Sequence, residues 1–277
     1  DEVNDLISSQ ANVVILDARR FDEYQTMSIP GATSVPGGEL VLRVRDLAPS
    51  PETTVIVNCA GRTRSIIGTQ SLVNAGVRNP VFALRNGTIG WTLAGHTLEQ
   101  GQSRRYGETS ETAQRQAATT ARHIADRAGV ERIALDTLKR WQQEPRTTYL
   151  FDVRDAEAYA SGHLPGSRHV PGGQLVQETD HYASVRGARI VLVDDDGVRA
   201  NMTASWLAQL GWQVAVLEGL QPDDFSVSGN WQAQLPTVAQ PLFISPQQLA
   251  DWLAEGETQV LDFTTHANHL NSHIPGA

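Results

Sequence analysis

The 277-residue sequence holds one cysteine, Cys59, and one lysine, Lys139. A single cysteine excludes an intrachain disulfide and a multi-cysteine metal site. No apolar run reaches the roughly 18 residues that a membrane-spanning helix needs, so no membrane partner is expected. Aromatic residues make up only 6%, but a hydrophobic share of 40% suits globular cores and not a disordered chain. The formal net charge of -9 supplies no global field toward nucleic acid or anionic lipid. The excess of arginine over lysine reads as codon bias of a GC-rich genome. There is no initiator Met and no recognisable signal peptide. The chain starts inside a domain, so loss of an upstream segment is expected, and removal of a signal stays open. A cytoplasmic location is the expectation.

What the sequence does have is an internal repeat. VILDARRFDEYQTMSIPGATSVPGG (14–38) returns as YLFDVRDAEAYASGHLPGSRHVPGG (149–173), at a constant offset of 135 residues. Asp17 falls on Asp152, Arg19 on Arg154, Tyr24 on Tyr159, and Pro36-Gly37-Gly38 on Pro171-Gly172-Gly173. A third copy opens at 260–277, with Asp262 placed before Pro275 as Asp17 is before Pro30.

Short apolar runs alternate with helical segments in each copy. Val13–Leu16, Val55–Val57 and Val81–Leu84 read as buried strands, with a helix over Ser65–Asn74 closed by Gly76. Ile190–Val193 and Gln213–Leu217 are the second copy's strands, with a helix over Asn201–Leu210. Continuous apolar strands alternating with helices predict an α/β fold with parallel sheets covered on both faces. Residues 101–128 read as a linker that becomes helical from about Ser110. The expected organisation is a domain over 1–100, incomplete at its N-terminus, the linker at 101–128, a second domain over 129–236, and the truncated start of a third over 237–277.

The chemistry points to Val55–Ser65, VIVNCAGRTRS. A thiol stands directly after a buried strand, ahead of a helix N-terminus. Ligands of open α/β sheets bind at the carboxyl ends of the strands. The first N–H groups of a helix lack internal partners and favour negative charge. Arg62 and Arg64 add two permanent positive charges. These effects favour thiolate over thiol and an anionic ligand beside it. A merely buried structural cysteine explains that arrangement poorly.

These residues resemble the rhodanese family of sulfurtransferases. The family pattern D-x-R…E-Y…G-H-I-P-G-A, about 40 residues before a Cys-led six-residue loop, is matched by Asp17, Arg19, Glu23, Tyr24, Ile29, Pro30, Gly31, Ala32 and Cys59. Asn86–Trp91 is similar to its closing G-G-x-x-x-W segment, and Met27-Ser28 departs from Gly-His. The resemblance implies tandem rhodanese-like domains, each a parallel sheet of about five strands. It implies double displacement through a Cys59 persulfide, with thiosulfate or a similar small anion as donor and cyanide or a thiol as acceptor. Ala60, Gly61, Arg62, Thr63, Arg64 and Ser65 would hold the persulfide and donor, and Asp17, Arg19 and Trp91 would be structural near the site. No cofactor and no metal are implied. A related phosphatase or arsenate reductase is the lesser alternative, because its Cys-x5-Arg loop is one residue longer than the Cys-x4-Arg found here.

The offset puts Asp194 opposite Cys59, in DDDGVRA (194–200). A carboxylate cannot store sulfane sulfur, so the second domain reads as inert. It could shape the first site, mediate assembly or regulate, and a non-catalytic scaffold is the main alternative function. A metal on Asp194, Asp195 and Asp196, or on His266, His269 and His273 sharing a helix face, is the weaker reading, as it is for His163, His169 and His181. His163 occupies the family's structural Gly-His position. A homo-oligomeric state stays open.

Overall fold

The computed structural model of the chain describes residues 1–233, 243–256 and 258–277. The expected boundary at 236/237 lies outside the described residues. Two compact units, Asp1–Trp231 and Gln232–Ala277, make up the chain.

In the first unit the apolar runs form parallel strands β1 (Val13–Asp17), β2 (Thr33–Ser34), β3 (Thr54–Asn58) and β4 (Val81–Ala83) in the order β2-β1-β3-β4. Around them lie α1 (Glu2–Ser8), α2 (Phe21–Thr26), α3 (Leu40–Leu47), α4 (Thr63–Asn74) and α5 (Gly87–Leu93). The long helix α6 (Glu111–Arg127) follows, N-capped by the Ser110 side chain. The second copy contributes β5 (Glu131–Ile133), α7 (Leu135–Gln143), β6 (Thr148–Asp152), α8 (Ala156–Ser161), β7 (Arg168–His169), α9 (Gly172–Gln177), α10 (Thr179–Tyr182), β8 (Arg189–Val193), α11 (Arg199–Gln209) and β9 (Gln213–Leu217). Its sheet runs β5-β9-β8-β6-β7, again parallel. Strand order corresponds between the two sheets, β1 to β6 and β3 to β8.

The expectation of about five strands per sheet holds for the second domain, while the first has four described strands. Gly76 and Gly211 end α4 and α11 at φ of 65° and 87°, a conformation open to glycine without a side-chain clash.

The central strands are buried on both faces, which is why they read as unbroken apolar runs. Asp17 and Asp152 end β1 and β6 fully buried. Each is neutralised two residues later. Arg19 donates Nε and Nη2 to Asp17 at 2.9 and 2.8 Å, and Arg154 does the same to Asp152 at 3.0 and 2.7 Å. Breaking either pair would strand a buried charge.

The repeated Pro-Gly-Gly marks where the two domains cross. A Cβ on Gly173 would stand 3.2 Å from Gly37 Cα and 3.2 Å from Gly38 N. Around this crossing Met202 packs into the first core and Ile67 against the second, two positions related by the repeat. Trp206 Nε1 donates to Ser71 Oγ at 2.9 Å, also a repeat-related pair. Helix α6 seals the junction with Ala113, Ala117, Ala121 and Ala125, a stripe at four-residue spacing that is buried throughout. Ala117 and Ala121 lie in one cluster with Leu40 and Val44 of α3 and with Met202 of α11.

In the second unit α12 (Pro246–Glu255) is N-capped by Ser245 and ended by Gly256 at φ 79°. The short helix α13 (His266–Asn271) ends before His273, so the three histidines expected on one helix face do not share a helix. His269 is instead bound to Asp262 at 2.8 Å and stacked on His273. The Thr264 backbone N–H, and then His269, hold the Asp262 carboxyl down to about 2.

Gly173→Val should test the crossing. Its side chain meets the other domain's backbone, which cannot rotate away. A loss of about 1–3 kcal/mol is expected, read as a Tm several degrees lower. An unchanged Tm would show that the two turns do not abut.

Candidate active site

Strand β3 delivers Cys59 to the carboxyl end of the sheet, and α4 begins four residues later. Cys59 is buried at 2% exposure. Its Sγ donates to Ser65 Oγ at 3.3 Å, and that hydroxyl donates to Arg62 O at 3.0 Å.

The loop's orientation is set from behind by α5. Thr88 N donates to Cys59 O at 3.0 Å, and Ile89 N donates to Ala60 O at 3.1 Å. The free N–H groups of one helix start thus consume the carbonyls of the loop. This approach needs glycine. Gly87 has φ 56°, and a Cβ there would lie 2.0 Å from Cys59 O. With its carbonyls turned to α5, the loop leaves its amides uncommitted. Among the described residues the N–H groups of Ala60, Gly61, Arg62, Thr63, Arg64 and Ser65 have no protein acceptor. Consecutive free amides ahead of a helix form an anion cradle.

Asn58 ties this end of β3 to β1. Its Nδ2 donates to Asp17 Oδ2 at 3.0 Å, on the carboxylate that Arg19 also holds. Trp91 is buried in the adjacent core and donates Nε1 to Thr97 O at 2.9 Å. Ser28, which stands where the pattern has His, is buried, and its hydroxyl has no partner among the described residues. In the second copy His163 stacks on Tyr159 with ring centroids 3.8 Å apart and bonds the Tyr159 carbonyl. That is a structural use of the histidine.

The two loop arginines, expected to face the anion together, are placed differently. Arg62 is exposed. Arg64 is largely buried and forms a two-pronged pair with Glu23, at 2.6 and 2.8 Å. Burial opposes its charge, but the Glu23 hydrogen bond and charge outweigh it and raise the Arg64 pKa. Burial likewise opposes the Glu23 charge, and Arg64 more than offsets it, so the Glu23 carboxyl sits low. Arg64 Nη1 also reaches Gln174 Oε1 of the second domain at 3.3 Å. Neither Glu23 nor Gln174 was assigned a role from sequence. The signals were there, Glu23 in the Asp-x-Arg…Glu-Tyr pattern and Gln174 directly after Pro-Gly-Gly.

The second loop has the same frame with its cradle filled. Asp194 Oδ2 accepts from Ala200 N at 2.8 Å, and Asp196 Oδ1 accepts from Val198 N at 2.6 Å and Arg199 N at 3.1 Å. These amides are the counterparts of Ser65, Thr63 and Arg64. The chain's own carboxylates occupy the place that a bound anion would take. Burial, and then the charge of Asp196, push the Asp194 carboxyl well above its ordinary value. Asp195 pairs with Arg154 and Arg199 at 3.2 and 3.4 Å. The three acids are thus spent on amides and arginines.

Fold and loop together define a class: an α/β module that presents a thiol, followed by a row of free amides, at the carboxyl end of a parallel sheet. A family model described as Rhodanese-like domain matches residues 1–94 and 134–219, and the chain belongs to that family. A crystal structure of thiosulfate sulfurtransferase from Pseudomonas aeruginosa is 68% identical with a TM-score of 0.86, and the match covers 100% of this chain and 53% of that one. The chain therefore spans about half the length of that relative. A 3-mercaptopyruvate sulfotransferase from Escherichia coli is 19% identical over 80% of this chain and 97% of its own, with a TM-score of 0.33. No curated protein matches the chain.

Asp194→Asn should expose the cost of the buried acid. A carboxyl raised in the folded state binds its proton more tightly there than when unfolded. Its stability contribution is therefore full below the ordinary carboxylate range and is lost as pH rises through the folded value. The Asn variant keeps an acceptor for Ala200 N and should have the higher Tm at pH 7. The gap should close as pH falls toward about 4. A variant that is less stable at pH 7 would contradict the assignment.

Proposed function

We propose that the chain is a rhodanese-type sulfurtransferase in which Cys59 carries sulfane sulfur from thiosulfate, or a similar small anion, to cyanide or a thiol. The observation that carries this reading is the row of amides without a protein acceptor among the described residues, Ala60 to Ser65, directly after a thiol at the end of β3. The 68% identity to a thiosulfate sulfurtransferase supports the same activity.

The Cys59 thiolate attacks the outer sulfur of thiosulfate. A new S–S bond forms, the sulfur–sulfur bond of thiosulfate breaks, and sulfite leaves with its electron pair. Charge and atoms balance, with a cysteine persulfide anion replacing the thiolate. Cyanide then attacks the terminal sulfur, and the thiolate and thiocyanate are the products. A thiol acceptor would leave with that sulfur in the same way.

The loop amides are preorganised for charge that sits on sulfur or sulfonate in both steps. Ser65 offers a second service. In the thiol state its hydroxyl proton points to Arg62 O while Cys59 donates to its oxygen. A hydroxyl can rotate, so the same proton can turn to the sulfur once it is ionised. Arg64, fixed by Glu23, supplies a rigid guanidinium, and exposed Arg62 supplies charge at the rim. Asp17, Arg19 and Trp91 hold the frame and touch no substrate in this scheme. The second domain, with Asp194 at the nucleophile position, takes no sulfur. The chemistry requires a reduced thiol, which supports a cytoplasmic setting. A small anionic donor and a thiol or cyanide acceptor are the only partners it invokes.

Cys59→Ser should abolish sulfur transfer with the fold intact, since serine is a far weaker nucleophile and no persulfide carrier. Mass spectrometry after thiosulfate should show a gain of about 32 Da, one sulfur, on the Cys59 peptide of the wild type and none on the variant. A variant that keeps about a tenth of the wild-type rate would overturn the assignment.

A further inference from the structure

The two loops meet the opposite domain through equivalent positions, and those positions differ in charge. The repeat pairs Arg64 with Arg199 and Gln174 with Glu39. Each arginine crosses the domain boundary to its partner. Arg64 Nη1 meets Gln174 Oε1 at 3.3 Å, whereas Arg199 Nε and Nη2 meet Glu39 at 2.5 and 3.1 Å. Within its own domain Arg64 has Glu23, whose counterpart is Ala158. Arg199 has Asp196, with Asp195 and Asp155 further out at 3.4 and 3.5 Å.

The number of carboxylates per arginine therefore separates the loops. Arg64 faces one carboxylate and one neutral carboxamide. Its Nε has no protein acceptor among the described residues. Arg199 has Nε, Nη1 and Nη2 all engaged by carboxylates. Gln174 and Glu39 are both buried, at 8% and 4% exposure, so one unit of charge acts there with little screening.

We propose that Gln174, contributed by the second domain, is a specificity-determining residue for the Cys59 site: it meets Arg64 across the domain boundary as a neutral group and so leaves the cradle's charge in place. An acid at position 174 would draw Arg64 across the domain boundary, as Glu39 draws Arg199. The loop would then carry excess negative charge where an anionic donor must bind. The second domain thus decides what charge the first site accepts. The proposal rests on the reading of the loop as an anion site.

The test compares Cys59 alkylation by iodoacetate, an anion, with alkylation by iodoacetamide, its neutral analogue, in the full chain. The ratio of the two rates reads the local potential whether or not sulfur is turned over. KM and kcat for thiosulfate are measured alongside. Gln174→Glu should lower the rate ratio by about tenfold and raise KM more than it lowers kcat, as one added buried charge beside the site demands. Gln174→Met, neutral and of similar size, should keep the ratio within about threefold. The double variant Glu23→Gln with Gln174→Glu returns the count to one carboxylate and should restore the ratio, which lost packing would not do.

Equal falls in the Met and Glu variants would overturn the proposal, as would an unchanged ratio in a folded Gln174→Glu protein or a double variant no better than the single. If Gln174→Glu does not fold, the double variant and Gln174→Met still decide. Wild type that gains no sulfur from thiosulfate would sink the sulfurtransferase reading, and the alkylation ratio would still settle the role of position 174.

Discussion

Everything at the candidate site depends on a trade of backbone hydrogen bonds behind Cys59. The first amides of α5 take the carbonyls of Cys59 and Ala60, and the loop can then point its own amides the other way. The row has no protein acceptor among the described residues and lies ahead of a helix start, an arrangement that favours a negative group in front of it. Gly87 permits the trade because any side chain there would overlap the Cys59 carbonyl. The buried Asp17–Arg19–Asn58 network fixes the strand ends from which the loop springs.

The second domain shows what the same frame does without a nucleophile. Asp194 and Asp196 turn inward and satisfy the amides of Val198, Arg199 and Ala200. The chain's own carboxyl groups fill the place of an external anion, and Asp194 is held there in buried surroundings that oppose its charge. A loop with Asp194 in place of a cysteine thus keeps the same frame. The degenerate domain keeps its packing duty at the Pro-Gly-Gly crossing and under the alanine stripe of α6. It also reaches the first domain's loop through Gln174, which accepts from Arg64.

Much of this was legible in the sequence because it rests on local pattern. Buried parallel strands announce themselves as apolar runs, and the repeat sets their correspondence. The position of Cys59 between strand and helix followed from the same pattern. What stayed hidden depends on contacts between distant residues. The Arg64–Glu23 pair spans 41 positions, and Arg64–Gln174 spans 110. No spacing rule reaches that far. The helix of α6 was readable from Ser110 onward, but its buried alanine face was not, because alanine is weakly apolar and the segment is otherwise polar. The three histidines at 266–273 had the right spacing for a shared face, but the helix stops at Asn271.

The contrast between an open and a self-filled cradle is open to one direct measurement. Thiosulfate is titrated into isotope-labelled Cys59→Ser protein, which can bind the anion without reacting, and the backbone amide resonances of both loops are followed. Shifts that saturate at Ala60 to Ser65, with the amides of Val198, Arg199 and Ala200 unmoved, are the expected result. Shifts spread equally over both loops, or absent from the first, would contradict it.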